Sequence, residues 1–245
     1  MDVAITGDRA SCLTQELAPE TYLFAVANGF GTVEGQPVAR AVLARLRNEF
    51  ERRSRGDRLR RAEQRGKGIS SSLLGAFARV NEDMHARTAS HDDYVTAACS
   101  VTGVLLVKER AYLAHVGSTA AYLARDGYVV SLTKNDSFEG DRMPVLTRAL
   151  VSAPTVEVAV CSFSLNEGDA LVLAGRRLRE SDDRRRLAES LMHGIHAGGG
   201  DQLLVVRYTP AADSEGPEEP KSHTWSTVLT GVLATIVFYA LLCIK

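Results

Sequence analysis

The apolar positions of the chain fall into two regimes that change with position. Val3 to Thr6 and Tyr22 to Ala27 are short runs that read as strands, the second continuously apolar and suited to a buried sheet. From Pro37, which can open a helix, the period lengthens, and Val38, Val42, Leu46 and Phe50 share one helical face. Ile69, Leu73, Phe77, Val80 and Met84 draw a second such stripe. Between the stripes lies an arginine-rich connector, ERRSRGDRLRRAEQRGKG, broken by Gly56, Gly66 and Gly68. Strand patterns then follow one another: VTAACSVTGVLLV, AYLAHVG, AAYLAR and YVVSLT, separated by Lys-Glu-Arg, Gly-Ser-Thr and Asp-Gly. Asp126-Gly127 is a two-residue hairpin turn signal. Thr155 to Val160 and Ala170 to Ala174 add strands, Arg177 to Met192 a helix and Gln202 to Tyr208 a last strand. Because helices and strands are grouped rather than alternating, the pattern predicts an α+β fold with mainly antiparallel sheets.

The pattern changes again at the end. TPAADSEGPEEPKSHT, residues 209–224, combines prolines, small residues and acids and reads as a solvated linker. Trp225 to Ile244 carries no charge, and about 20 residues at ~1.5 Å each match the ~30 Å of a bilayer core. The expectation is a soluble domain over 1–208, a linker over 209–224 and a transmembrane tail over 225–244. The protein would then be single-pass and tail-anchored, with its domain facing the cytoplasm and the lipid bilayer as a partner of the tail. Cys243 inside that tail is a lipid acceptor or an inert thiol.

Composition narrows the chemistry. A hydrophobic share of 45%, a charged share of 24% and a net charge of −1 are ordinary for a globular chain and give no reason to expect nucleic acid. Four cysteines, Cys12, Cys99, Cys161 and Cys243, form no CxxC pair, so neither zinc nor a disulfide framework is indicated. There is no Walker loop, no Gly-x-Ser-x-Gly elbow and no HExxH pair. His85 and His91, near Asp92-Asp93, read as exposed residues of a helix end and loop. The stretch FAVANGFG is the pointed one, because an apolar strand running into Asn28-Gly29 is a turn signal and also looks like a metal loop with a carboxylate turned into an amide.

Five segments in order resemble the PPM-type (type 2C) metal-dependent serine/threonine protein phosphatases. FAVANGFGTVEGQPVA, 24–39, is similar to the family's FAVADGMGG…G…VA. AYLAHVGSTAAYLARDGYVVSLTKNDS, 111–137, is similar to LYVANVGDSRAYLLRDG…LT.DHS. VLTRAL, 145–150, matches VLTRALG; LVLAGRRLRE, 171–180, matches LVLASDGLWD; DQLLVVRY, 201–208, matches DN.T.VVVR. The resemblance implies a four-layer α/β/β/α sandwich, two antiparallel sheets between helices. It also implies two Mn²⁺ or Mg²⁺ ions that activate water against a phosphoserine or phosphothreonine, chemistry that needs hard anionic oxygen ligands and a bridging carboxylate.

The departures fall on the positions that the resemblance assigns to metal. Asn28, followed by Gly29, stands for the bridging Asp; Ser118 follows Gly117 where the family has Asp; Arg176 aligns with the Asp of the Ser-Asp-Gly motif. The first family motif, an Arg followed by Asn-Glu-Asp, is placed with Cys12 on the Arg and Gln15-Glu16-Leu17 on the acids. Glu16 and Asp201 are then the remnant acids. An ion pair at ~4 Å and effective dielectric near 20 is worth roughly 4 kcal/mol, so exchanging an attracting Asp for a repelling Arg costs more than about 8 kcal/mol toward a dication. No catalytic residue and no metal are therefore expected. The remainder of Asn28-Gly29 is a turn, and the short FEGDRMP connector, 138–144, is a trimmed flap.

Arg176 and Arg177 have three readings: they fill the vacated metal cavity, bind a phosphate, or begin a solvated helix. The basic connector between Arg45 and Lys67 either touches anionic lipid or is a solvated loop. The function expected is a catalytically inactive binding or regulatory module with a kinase, phosphatase or phosphoprotein as partner. The alternative is an active Mn- or Mg-dependent phosphatase whose remodelled site uses Asp201, Glu16 and acids such as Asp169 or Glu180. A third reading is an adaptor that uses only its surface.

Overall fold

The computed structural model describes residues 1–6, 11–30, 35–55, 68–89, 97–139, 144–177 and 203–209. The chain divides into two units, Met1–Pro210 and Ala211–Lys245. The second unit, with the tail expected at 225–244, lies outside the described residues, as does the helix expected over Arg177–Met192 beyond its first residue. No helix among the described residues is long and apolar enough to cross a membrane.

The two helical stripes fold as expected, into α1 (Gly35–Arg55) and α2 (Gly68–Ala89). Their stripe residues are buried, and side chains such as Phe50 and Phe77 each contribute about 2–3 kcal/mol by leaving water. The helices are joined by charge as well. Arg53 donates to the backbone oxygen and the hydroxyl of Ser72 at 2.9 and 3.0 Å, and Arg45 pairs with Asp83. Burial opposes the charge of Glu49, yet hydrogen bonds from Arg52 and Arg53 outweigh it and hold that carboxyl below its usual range. The sequence had Arg45 to Arg55 as part of a connector; these residues are helical, with Arg45, Arg52 and Arg53 committed to carboxylates.

The described residues form twelve strands, in chain order β1 (Asp2–Thr6), β2 (Cys12–Ala18), β3 (Thr21–Phe30), β4 (Ala98–Val107), β5 (Arg110–Val116), β6 (Ala120–Arg125), β7 (Tyr128–Ser131), β8 (Ser137–Glu139), β9 (Pro144–Leu146), β10 (Ala159–Ser164), β11 (Ala170–Ala174) and β12 (Leu203–Arg207). They make two antiparallel five-stranded sheets, ordered β10-β5-β4-β3-β2 and β1-β12-β11-β6-β7, and a β8-β9 hairpin. Alternation along β3 and β4 separates two cores. Leu23, Ala25, Val101 and Leu105 face α1 and α2, whereas Phe24, Val26, Val104 and Leu106 meet Leu171, Leu173, Leu204 and Val206 of the other sheet. The outer face of that second sheet, Ala120, Tyr122, Ala124, Val172 and Leu203, is buried too. The described residues thus give helices, sheet and sheet; the helices expected as a fourth layer lie outside them.

Three readings of the strands are corrected. Asn28-Gly29 is not a turn: β3 continues through Phe30, pairing Asn28 with Ser100, Gly29 with Cys99 and Phe30 with Ala98, so the ladder to β4 overrides the local turn preference. Residues 12–18, where no strand was expected, form β2 as the hairpin partner of β3. The strand expected at Thr155–Val160 lies four residues later, because Ala159–Ser164 pairs with His115–Arg110 of β5. The trimmed flap is a short hairpin, with Phe138 opposite Val145.

Residues preceding β10 are instead clamped by α2. Buried Asn81 donates to the carbonyls of Ala153 and Pro154 at 2.9 and 3.1 Å and accepts from the Val151 amide at 2.8 Å. His85, expected to be exposed, is half-buried and donates from Nδ1 to the Val151 carbonyl at 2.8 Å. Asn81→Ala removes three bonds and leaves buried backbone groups without partners. It is expected to cost about 3 kcal/mol, read as a lower urea midpoint with an unchanged slope.

Candidate functional site

The site is built where the two sheets exchange the chain. β5 belongs to one sheet and β6 to the other, and only Gly117, Ser118 and Thr119 separate them. Gly117 has φ +97°, and a Cβ there would stand 2.2 Å from Ser100 Oγ and 2.6 Å from Ser100 Cβ. Only glycine allows this approach.

The even-numbered residues of β3 and β4 point between the sheets, as Phe24, Val26 and Val104 show, and the same alternation puts Asn28 and Ser100 on that face. Ser100 is fully buried; its hydroxyl accepts from the Ser118 amide at 3.0 Å and meets Ser118 Oγ at 3.3 Å. One pair deeper, Thr102 Oγ1 lies 2.8 Å from both His115 Nδ1 and Thr119 Oγ1. His115 Nε2 donates to the Lys134 carbonyl at 2.9 Å; in the neutral ring, which burial favours, Nδ1 then accepts from Thr102. Asp136, 5% exposed, accepts from the Gly117 amide at 3.0 Å, donates its own amide to the Gly117 carbonyl at 3.0 Å and pairs with Arg148. Arg148 also reaches Glu157 at 2.9 Å.

This arrangement brings together Asn28, Gly29 and Ser118 of the expected set. Arg176 follows β11 at the same end, since Ala174 pairs with Ala120. Both Arg176 and Arg177 are exposed, and Arg177 donates to the Thr133 carbonyl at 2.8 Å and to Ser131 Oγ at 3.3 Å. Arg177 thus ties strand ends together rather than filling a cavity. Asp201 and Glu180 lie outside the described residues.

The other acids are elsewhere. Glu16 pairs with Tyr22, six residues before Asn28, which puts it about 20 Å away along the strand. Glu16 and Leu17 therefore do not stand for the family's acids, because a shared ion needs ligands within a few ångströms of one another. The register Cys12↔Val26 instead brings Ser11, buried, and Cys12 toward Asn28. Asp169 is also at the far end, just before β11, where it takes a bidentate pair from Arg125 and the Asn166 amide at 2.7 Å. It is a structural ion pair. Sequence reading missed Ser100, Thr102, His115, Asp136 and Arg148. Only the continuation of the β3–β4 ladder past Asn28 would have pointed to the first two.

As a donor set these residues do not fit two dications. Asn28, Ser100 and Ser118 supply neutral oxygens, and Asp136, the one carboxylate among the described residues of the site, is engaged by Arg148 and an amide. Among the described residues no group of three or more His, Cys, Asp or Glu can hold a metal ion. Cys99, beside the site in sequence, packs in the helix-side core, where burial pushes its thiol up to about 12, against a smaller lowering by the Asn28 backbone.

His115 gives the site a pH signature. Burial, opposed by the charge of Asp136, lowers its pKa from the usual 6.5. The unfolded chain then binds the proton first, so stability is full above about 6.5 and falls as pH drops below that value toward the folded pKa. Unfolding midpoints measured between pH 8 and 5 are expected to decline on the acid side, and His115→Gln should flatten that part of the profile.

No family model matches the chain. The serine/threonine protein phosphatase PstP of Mycobacterium tuberculosis is 26% identical over 216 residues, covering 75% of this chain. That alignment covers 39% of PstP, so the chain spans about two fifths of the curated relatives it matches. Among solved structures, PppA, a regulatory component of T6SS in Pseudomonas aeruginosa, superposes with a TM-score of 0.59 at 19% identity, over 84% of this chain and 96% of PppA. The catalytic domain of PstP with two manganese ions gives 0.61 at 20% identity, over 83% and 96%. Stp1 of Staphylococcus aureus gives 0.59 at 11%, over 85% and 94%. The chain is thus similar to PPM-type serine/threonine phosphatases, and the solved structures agree on a PPM phosphatase-like α+β fold.

Proposed function

We propose that this protein is a catalytically inactive PPM-fold module that regulates phosphorylation signalling through protein partners, a kinase, a phosphatase or a phosphoprotein. One observation carries the reading: where related phosphatases place acids, this chain has Asn28, a Ser100–Ser118 hydroxyl pair and an exposed Arg176. Neutral oxygens neither bridge two cations nor lower the pKa of a shared water enough to make a nucleophile. The active alternative is weakened by the places of Glu16 and Asp169 at the other end of the sandwich. Calorimetric titration of the full chain with Mn²⁺, beside hydrolysis of a phosphothreonine peptide, tests the reading. Neither saturable binding at millimolar metal nor turnover is expected. Two bound ions with turnover would give the chain to the enzyme reading, with Mn²⁺ or Mg²⁺ as cofactor.

The same proposal places the domain at the cytoplasmic face of a membrane, held by the uncharged run Trp225 to Ile244. Deleting 225–244 is expected to move the protein from the membrane pellet to the soluble fraction. An unchanged distribution would remove the tether from the proposal.

A further inference from the structure

Strand β7 closes one edge of the second sheet, and its exposed side is unusual for an edge. Tyr128 is 75% exposed and Val130 56%, and neither lysine nor proline lies among its four residues. Edges of that kind invite another strand. The register fixes which backbone groups are on offer. Asp126 (φ 51°) and Gly127 (φ 77°) form a two-residue left-handed turn that closes the pair Arg125↔Tyr128. Hydrogen-bonded pairs then recur every second residue, at Leu123↔Val130 and at Leu132, whose amide donates to the Ala121 carbonyl at 2.8 Å. Val129 and Ser131 therefore turn their N–H and C=O groups away from β6, toward the open edge.

We propose that β7 is the seam of a two-fold homodimer in which a second copy of this chain adds its own β7 antiparallel, joining the two five-stranded sheets into one. Among the symmetric registers, one engages the outward groups of both Val129 and Ser131 in each copy. Val129 pairs with Ser131 of the second copy and the reverse, which sets Val130 opposite Val130 on the two-fold axis and Tyr128 opposite Leu132. The pair on the axis is a non-hydrogen-bonded one, with the closer side-chain approach of about 4.5 Å between Cα atoms. It would cover the two exposed valines with each other. Charge fits the same register. Exposed Asp126 lies at one end of β7, and exposed Lys134 and Arg177, the latter bonded to Ser131 and Thr133, at the other. Antiparallel pairing brings each acid to the basic end of its neighbour, whereas a parallel pairing would set like charges side by side.

The register gives a position-specific test on the full chain, kept in solution by a mild non-ionic detergent. In Val130→Cys the two thiols face each other within disulfide reach, whereas in Tyr128→Cys the same residues lie four positions apart, about 13 Å, too far to bridge. Mild oxidation is expected to give a reducible dimer band on the order of tenfold stronger for Val130→Cys than for Tyr128→Cys or the wild type. Sedimentation supplies the second readout: Asp126→Lys and Lys134→Asp should each lower the dimer fraction, and the double variant should restore it. Val130→Lys should give monomer at every concentration. Equal cross-linking at 128 and 130, no band at 130, or a dimer insensitive to Val130→Lys and to the charge exchange would overturn the proposal.

Discussion

The contact between Gly117 and Ser100 is the constraint on which the rest of the architecture depends. The chain leaves one sheet at Val116 and enters the other at Ala120, and it does so by pressing the Gly117 backbone against the side of β4. Any Cβ at that point would push the turn outward and open the sheets at one end. The turn is then secured from both sides. Ser100 accepts the Ser118 amide from within the first sheet, and Asp136 exchanges two hydrogen bonds with Gly117 from the loop after β7. Arg148, in turn, neutralises Asp136 and ties in Glu157, in the segment that precedes β10. Strand exchange, loop and following segment are one connected network.

That network explains how a site with such a donor set stays ordered. Where carboxylates crowd together, an ion must offset their repulsion, and a dication does so by bridging them. Here the polar atoms satisfy one another. Ser100 with Ser118, and Thr102 with His115 and Thr119, are neutral groups whose donors and acceptors match, and no described buried side-chain polar atom lacks a partner. Asp136, the carboxylate described at this site, has its own guanidinium in Arg148. A buried charge that is both paired and bonded to an amide avoids the penalty that an isolated one would bring, several kcal/mol. The site is therefore held by its own hydrogen bonds, with Arg176 and Arg177 exposed at the same end of the sheet.

What the sequence revealed follows from how local each signal is. Helical stripes at Val38–Phe50 and Ile69–Met84, and the strand runs Ala120–Arg125 and Ala170–Ala174, were legible because side-chain periodicity alone determines them. The Asn28-Gly29 turn failed because cross-strand pairing with Ser100 and Cys99 outweighs a dipeptide preference. The acids failed for a related reason. Spacing along the chain put Glu16 near the first motif, but hairpin register, set by the turn at Pro19-Glu20, decides which residue faces Asn28. Asp169 was plausible by type and wrong by place, a distinction that only the order of strands can make. Asp136 and Arg148 are twelve residues apart, inside two segments that carry the resemblance, but no periodicity marks them as a pair.

Val151 shows the same competition between local and long-range terms at one residue. The related motif ends in glycine, VLTRALG, and this chain has valine there at φ +78°, a conformation in which a β-branched residue is strained by roughly 1–3 kcal/mol. The valine is 3% exposed and packs in the helix-side core, a burial worth a comparable amount. The two terms nearly cancel, so the backbone geometry must be enforced by something else. Asn81 and His85 do that by holding the amide and carbonyl of Val151, while Leu150 exchanges both backbone bonds with Cys99 at 2.9 Å. Cys99 adjoins Ser100, so the clamp from α2 ends beside the residue on which Gly117 rests. The helix layer thus braces the strand exchange from behind, through one strained residue that gains in packing what it loses in backbone conformation.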